Sequence, residues 1–364
     1  MPVIKIKSNI GNYNVLFGNI AAYLKDIEKR GLRKCYIIDE NVWKIYNKKE
    51  LNNINKDEAI ILPISETKKN LNTVKWLYNT LIERSAKRNL TIISVGGGIT
   101  QDITGFLAST LYRGVNWIFI PTTFLAQADS CIGSKTSLNY RNFKNLIGTF
   151  YPPSEVFIDP GFIYSQKTLD FYSGLGEVIK LHLMGGIDKT KDLLRAYPEI
   201  IAKDRKTLEK IIYNALTIKK AYIENDEFDR GKRNLLNYGH CFGHALETTS
   251  RFKIPHGIAV LFGMMLANII ACSRNLLKKD FKEFIFSKVF LPSACILPKK
   301  SWLQKEAVLG AMKKDKKRTG KDLALIMLMD GCRMMRVNDV SEKEAINALR
   351  QLEYCLNKDS LNKL

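Results

Sequence analysis

The first 160 residues repeat one pattern, a short β-rich run followed by a stretch of helical spacing. The runs are KIKSN and YNVLFG, then KCYIIDE, AIILPI, TIISVGGG, NWIFIPTT and SEVFIDP. Between two of them, Leu71 to Ala86 sets Val74, Leu77, Tyr78 and Leu81 at spacings of three and four, which is one face of a helix. Strands separated by helices of this length build a mostly parallel sheet covered on both faces. Beyond Asp159-Pro160 the pattern changes. Helical spacing dominates at 174–185, 201–220, 234–249 and 258–277, and LALIMLM at 323–329 is the main remaining β-run. Two domains are therefore expected, a parallel-sheet α/β domain over 1–160 and a mainly helical one over 161–364. A cleft between two such domains is where cofactor and substrate ordinarily meet.

A chain of 364 residues with 46% hydrophobic and 26% charged residues is long enough for two buried cores, and it carries no low-complexity tract. Its formal net charge of +21 creates a field that attracts phosphorylated or carboxylated solutes. Nucleic acid is not the expected partner. The lysines are spread along the chain, with one dense run at 313–318, and no zinc-finger, basic-zipper or RNA-platform pattern accompanies them. Seven cysteines without a Cys-x-x-Cys pair favour a reducing compartment. The N-terminal MPVIKIKSNIGNYNV has no apolar core of a secretory signal, and the longest apolar stretch, Ile258 to Ala271, is short of the roughly 20 residues that cross a bilayer. The expectation is a cytoplasmic protein, with no membrane partner, whose 258–271 stretch is a buried core helix.

Val95-Gly96-Gly97-Gly98 directly follows the run Thr91 to Ser94, at a strand-to-turn junction where backbone can approach a pyrophosphate without Cβ obstruction. A structural turn would use the same glycines, and the full G-x-G-x-x-G fingerprint is absent. Asp39, at the end of the KCYII strand, is placed like an acid that bonds a ribose hydroxyl. The next strand ends in Pro121-Thr122-Thr123, followed by Asp129, Lys135, Lys144 and Asn145. Such a set suits a nucleotide and a phosphorylated polyol at the carboxyl ends of parallel strands, and it equally suits a solvated loop.

Three of the four histidines fall at 240, 244 and 256. On a helix His240 and His244 share a face, and His256 follows a turn at Ile254-Pro255. Two or three imidazoles with one carboxylate and an open position make a catalytic zinc site. Glu177, in SGLGEVIK, is the best carboxylate, because an unpaired charge among small and apolar residues would be costly there. Lys180 shares its face, Glu247 is a rival ligand, and His182 reads as structural. Packed histidines bonded to carbonyls are the alternative to a metal centre.

These residues carry a resemblance. Asp39 to Arg318 resembles the dehydroquinate synthase-like sugar phosphate cyclases, through VGGGITQDITGF (95–106), Arg113-Gly114, PTTFLAQADSCIGSKTSLN (121–139), KNLIGTFY (144–151), Gly174 to Lys180, Lys219 with Asp226-Glu227, and RNLLNYGHCFGHALE (233–247). It implies an α/β fold with an N-terminal Rossmann-like parallel-sheet domain followed by a mainly helical metal-binding domain. It implies zinc, or cobalt in its place, on Glu177, His240 and His256, with His244 facing the phosphate and the reacting centre. NAD contacts fall on Asp39, Asn41, Glu66, Lys69, Gly97, Gly98, Asp102, Thr122, Thr123, Asp129 and Lys144. Substrate contacts fall on Arg113, Lys135, Asn145, Lys180, Lys219, Arg233, Asn237 and Lys316, in a homodimer where Arg113 reaches into the partner's site. Three positions depart from the family pattern: Gln101 stands for Gly, Ser134 for the second Gly of Gly-Gly-Lys, and Ile258 for Glu.

The implied chemistry is transient oxidation of a hydroxyl by NAD, elimination of phosphate, return of hydride, and aldol closure of the ring. Lys219, Arg233 and Asn237 are retained where a substrate carboxylate would be met, and an arginine suits a carboxylate by its two-pronged geometry. That favours 3-deoxy-arabino-heptulosonate 7-phosphate giving 3-dehydroquinate. A cyclase for another ketose or hexose phosphate is the second expectation, a metal-dependent polyol dehydrogenase a more distant one, and a non-enzymatic basic binding protein the last.

Overall fold

The computed structural model describes residues 2–141, 143–313 and 323–361. They fall into two compact units, Met1–Gln166 with Leu208–Asp229, and Lys167–Thr207 with Arg230–Leu364.

The first unit is built on strands β1 (Val3–Ile6), β2 (Tyr13–Phe17), β3 (Lys34–Asp39), β4 (Ala59–Leu62), β5 (Thr91–Gly96), β6 (Asn116–Pro121), β7 (Lys135–Tyr140), β8 (Phe143–Phe150) and β9 (Glu155–Ile158). Seven of them form one sheet in the order β1-β2-β9-β6-β5-β3-β4, parallel throughout except for the β1–β2 pair. All seven runs read from the sequence are its strands. Every residue of β5 is buried, as expected of a strand covered on both faces. Helices α1 (Ile20–Lys29), α2 (Glu40–Tyr46), α3 (Leu71–Glu83) and α4 (Gly98–Thr110) fall between strands. On one face Ile20, Leu24 and Ile27 of α1 pack with Tyr36, Ile38, Val95, Ile120 and Phe157. Each such side chain contributes about 1.5–3 kcal/mol of burial.

The segment after β6 departs from a plain solvated loop. It makes one wide helical turn, Ala126–Ser130, and then the antiparallel hairpin β7–β8. The hairpin is held by polar side chains, with Thr136 and Thr149 hydroxyls 2.7 Å apart, and it leaves Phe143 and Leu146 exposed, so it carries no alternating apolar signal.

After β9 the chain enters the second unit with α5 (Thr168–Met184) and returns to the first through α6 (Arg205–Ile223). Leu208, Ile211, Ile212 and Leu216 of α6 are buried, and the Tyr213 ring lies 5.9 Å from that of Phe17. A single division at 160 does not contain this return.

The second unit is mainly helical, as expected, and centres on α7 (His240–Thr249) and α8 (His256–Ser273). Every residue of α8 from Gly257 to Ala271 is buried. It is long and apolar enough by composition to cross a membrane, but 83% of it is buried inside the protein, which makes it a core helix. Helices α5 and α8 touch backbone to backbone: a Cβ on Gly176 would overlap the Gly257 carbonyl, and one on Gly257 would overlap that of Ser173. Strands β10 (Leu323–Met329) and β11 (Arg333–Val340) form an antiparallel hairpin with a bulge between Leu323 and Leu325, and α9 (Glu342–Leu361) follows.

Candidate active site

The close contact of α5 with α8 decides where the metal-binding side chains meet. Glu177 follows Gly176 on α5, His256 precedes Gly257 at the start of α8, and His240 opens α7. Glu177 Oε1 lies 3.3 Å from His256 Nε2 and 3.5 Å from His240 Nε2. Tetrahedral zinc with bonds of about 2.0–2.1 Å places its ligand atoms roughly 3.3–3.4 Å apart. Both Glu177 oxygens are sealed from solvent, Oε2 against the Lys180 ammonium and Oε1 facing the two imidazoles, where a shared cation would stand. The remaining ring nitrogens are fixed. His240 Nδ1 stands 3.1 Å from the Tyr238 carbonyl and His256 Nδ1 3.1 Å from Glu247 Oε2, which turns both Nε2 lone pairs toward Glu177. The residues fit a divalent cation of the zinc type.

Glu247 was the rival ligand. It forms a second close set with His244 and His256, and its Oε2 lies 3.1 Å from His256 Nδ1, where it can orient that ring. Electrostatics favours the donor forms of Glu177 and His240. Burial alone would raise the Glu177 carboxyl, yet the Lys180 ammonium 2.5 Å from Oε2 and the two imidazoles hold it well below the usual carboxylate range. Burial and Lys180 push His240 well below its ordinary value, leaving the neutral ring a metal requires. His256, by contrast, is drawn up to about 10 by Glu177 and Glu247 against its burial, so a cation at this site must displace a proton from its ring.

His244 is exposed one turn along α7, its ring 5.4 Å from that of His240. It lines a small pocket with Asn237, His240, Asn234 and Arg336, the last contributed by β11. Arg336 is absent from the sequence-based site, because nothing in RMMRVNDV marks it as the partner strand of LALIMLM. Arg233 and Lys180 are buried. His182 is a core histidine: its Nδ1 lies 2.8 Å from the Val178 carbonyl and burial lowers it to about 4.

In the first unit, α4 and the β7–β8 hairpin collect most of the other predicted residues. Lys69 pairs with Asp102 and donates to Asn145 Oδ1 at 2.6 Å. Asp102 accepts from the Ser137 amide at 2.9 Å, and the one Ser137 hydroxyl proton is shared between Asp102 at 3.1 Å and Asn145 Oδ1 at 3.0 Å. Glu66 accepts from Asn139 at 2.8 Å, with Lys144 3.8 Å away. Lys219 of α6 holds Asp129 through its carboxylate at 3.0 Å and its carbonyl at 2.6 Å, and Lys135 pairs with Asp229 at 2.6 Å. Asp39 caps α2 by accepting from the Asn41 amide at 2.8 Å, and burial raises its carboxyl. At the carboxyl ends of β5 and β6, Gly97 opens α4 against Thr123, whose methyl would lie 3.0 Å from a Cβ there, and the Thr122 amide donates to Gly96.

Arg113 stands exposed in the turn Leu111–Arg113 that follows α4, eleven positions beyond Asp102. Lys316 lies outside the described residues. Besides Arg336, two residues of the first unit were given no role in the site. Ser137 braces Asp102, and Glu227 accepts from Ser8 at 2.6 Å, the Asn9 amide at 2.7 Å and Ser134 at 2.8 Å. Both are ordinary polar residues whose partners are remote in sequence. The departures also find places: Ser134 sits at φ 65° with its hydroxyl on Glu227, Gln101 is buried against Ser130, and Ile258 is fully buried in α8.

The family model for the 3-dehydroquinate synthase N-terminal region matches residues 59–173, and that for the C-terminal region matches 174–318. The 3-dehydroquinate synthase of Clostridium tetani is 42% identical over 267 residues, 71% of this chain and 70% of that protein. That of Campylobacter fetus is 33% identical over 357 residues, 96% of this chain and all (100%) of that one. Among solved structures, 2-deoxy-scyllo-inosose synthase complexed with carbaglucose-6-phosphate, NAD+ and Co2+ shares the fold, with a TM-score of 0.81 at 24% identity over 96% of this chain and 100% of that one. With relatedness running through both units, the chain belongs to the 3-dehydroquinate synthase family of sugar phosphate cyclases.

Proposed function

We propose that the protein is an NAD- and metal-dependent sugar phosphate cyclase, which eliminates phosphate from a phosphorylated sugar and closes its carbon chain into a ring. The observation that carries this reading is the convergence of Glu177 Oε1 with the Nε2 atoms of His240 and His256, beside an exposed His244. Held by those three side chains, a divalent ion, zinc or cobalt, supplies Lewis acidity at a substrate hydroxyl, while NAD supplies reversible hydride acceptance.

The protein's own groups do the rest. His244 faces the pocket beside Asn237, where an imidazole can bind phosphate oxygens or carry a proton. Lys180 keeps Glu177 ionised and adds positive charge at the reacting centre. In the first unit, Gly97 and Gly98 offer the start of α4 to a pyrophosphate, and Asp39 suits ribose hydroxyls. Lys69, Asp102, Asn145, Asp129, Lys144, Thr122 and Thr123 complete the proposed dinucleotide and substrate contacts, and Lys135 and Lys219 add cations for phosphate. Arg113, exposed just beyond the C-terminal end of α4, is assigned to the site of the neighbouring subunit in a homodimer, as the family resemblance implies.

The substrate is a ketose or hexose phosphate. The relatives named 3-dehydroquinate synthase, and the buried guanidinium of Arg233, support a seven-carbon acid, 3-deoxy-arabino-heptulosonate 7-phosphate. A solved cyclase of the same fold holds carbaglucose-6-phosphate, which has no carboxylate, and the three departures from the family pattern support a second reading with a sugar phosphate of that kind. The test is to incubate the full chain with NAD, zinc or cobalt and a panel of both substrate types, following released phosphate and identifying the carbocycle by mass and NMR. Arg233→Ala should depress turnover of the carboxylated substrate selectively. Accumulation of NADH from an unphosphorylated polyol, without phosphate release, would replace cyclisation by simple dehydrogenation.

A further inference from the structure

We propose that Gln101 is a positioning residue for the dinucleotide: by gripping Ser130 it fixes the wide turn Ala126–Ser130 beside the N-terminus of α4, and so sets the shape of the phosphate subsite at Gly97 and Gly98. The inference rests on the NAD reading above and deepens it.

Gln101 lies in the first turns of α4, where an exposed polar residue would face solvent, yet it is only 7% exposed. Its amide makes two reciprocal bonds. Nε2 donates to the Ser130 carbonyl at 2.7 Å, and the Ser130 hydroxyl donates to Oε1 at 2.6 Å. A carbonyl can only accept, which settles the amide's orientation. Glutamate could not donate the first bond, and glycine or alanine would supply neither.

The turn that Ser130 ends is one residue wider than an α-helical turn, closed by the Cys131 amide on the Ala126 carbonyl at 3.0 Å. Its last two carbonyls are both taken by side chains from elsewhere, Asp129 by Lys219 and Ser130 by Gln101. Ser130 Oγ lies 3.7 Å from the place where a Cβ of Gly98 would stand, and Thr123 bounds Gly97 in the same way. The space that the two glycines leave open is therefore walled by Thr123 and Ser130. Ser130 keeps its position through Gln101, at one of the positions where the chain departs from its family's pattern.

The experiment measures NAD affinity of the metal-loaded full chain by calorimetry, for wild type, Gln101→Gly, Gln101→Asn, Ser130→Ala and the Gln101→Gly/Ser130→Ala double variant. Loss of both bonds should weaken NAD binding about tenfold, and loss of the serine hydroxyl alone about threefold. The double variant should be no weaker than Gln101→Gly within about twofold, as expected of coupled partners. The apparent KM for NAD should move while kcat at saturating NAD changes little, and Gln101→Asn should show partial rescue. NAD affinity of Gln101→Gly within twofold of wild type, or effects that multiply in the double variant, would overturn the proposal. Hydrogen exchange reads the grip of Gln101 on the turn separately from NAD binding. Protection of the Cys131 amide in wild type, lost in Gln101→Gly, supports the grip independently of NAD, whereas unchanged protection defeats it. Absence of NAD binding to wild type defeats the cofactor reading and this inference with it. Should Gln101→Gly fail to fold, Ser130→Ala and Gln101→Asn carry the same comparison.

Discussion

A carboxylate and an ammonium enclosed among apolar helices depend on each other for charge balance. Glu177 and Lys180 are such a pair, at 1% and 3% side-chain exposure. Glu177→Gln would remove the carboxylate charge that lies 2.5 Å from the buried ammonium. The expected loss is about 3 kcal/mol or more in urea denaturation, since breaking a buried pair costs far more than the pair contributes. Metal analysis of the same variant should show bound zinc or cobalt falling from stoichiometric to near zero. Unchanged stability and metal content would remove Glu177 from the centre. This residue was legible in the sequence because a lone acid in SGLGEVIK has few inexpensive structural roles. Glu247 was not, because one turn beyond His244 it could ligate or orient. Only the placement of His256 decides which ring nitrogen it meets.

At the scale of elements, the glycine contact of α5 with α8 sets the distance between carboxylate and imidazole. Gly257→Ala must separate the two helices, and the expected outcome is a stability loss of about 1–3 kcal/mol from overpacking. Metal affinity should weaken with it, measured by chelator competition, since His256 adjoins the displaced residue. A variant with wild-type metal affinity would show that the helix contact does not govern the site. The start of α9 makes a pH prediction. Glu344 accepts two bonds from Arg274, at 2.6 and 3.0 Å, and caps the helix through the Ser341 amide at 2.9 Å. The Arg274 bonds are the chief cause of its carboxyl falling to about 2, from an ordinary value of 4.5. A depressed carboxyl contributes stability that is present above 4.5 and lost as pH falls toward 2. Glu344→Gln should therefore cost about 1 kcal/mol at neutral pH, after allowance for solvent screening. The gap from wild type should close as pH falls through that window; a constant gap would assign the effect to packing. Elements carried by burial were legible, above all the seven strands of the sheet and α8. The β7–β8 hairpin was hidden because Thr136, Thr149, Asn139 and Asn145 hold it by polar bonds, leaving Phe143 outside.

For the whole molecule, the charge of +21 is the property most visible in the sequence and least tied to any one contact. A field of that sign raises the encounter rate of phosphorylated solutes and is screened over about 8 Å at physiological salt. The apparent KM for a sugar phosphate should therefore rise with sodium chloride at nearly constant kcat. A flat salt profile would mean that capture is governed by local contacts alone. Discontinuity in the chain was not legible, since α6 has the one-sided apolar spacing of an ordinary surface helix, which does not say which unit it packs on. The segment Leu208–Asp229 carries Lys219 to Asp129, Glu227 to Ser8 and Ser134, and Asp229 to Lys135. A ribosome that has just released Gln166 has thus delivered every strand of the sheet but none of these fasteners. The early product must wait for some sixty further residues before its first folding unit is whole. A gene fragment cut after Gln166 should yield an aggregation-prone product, and one in which 208–229 is joined on by a short linker should behave better.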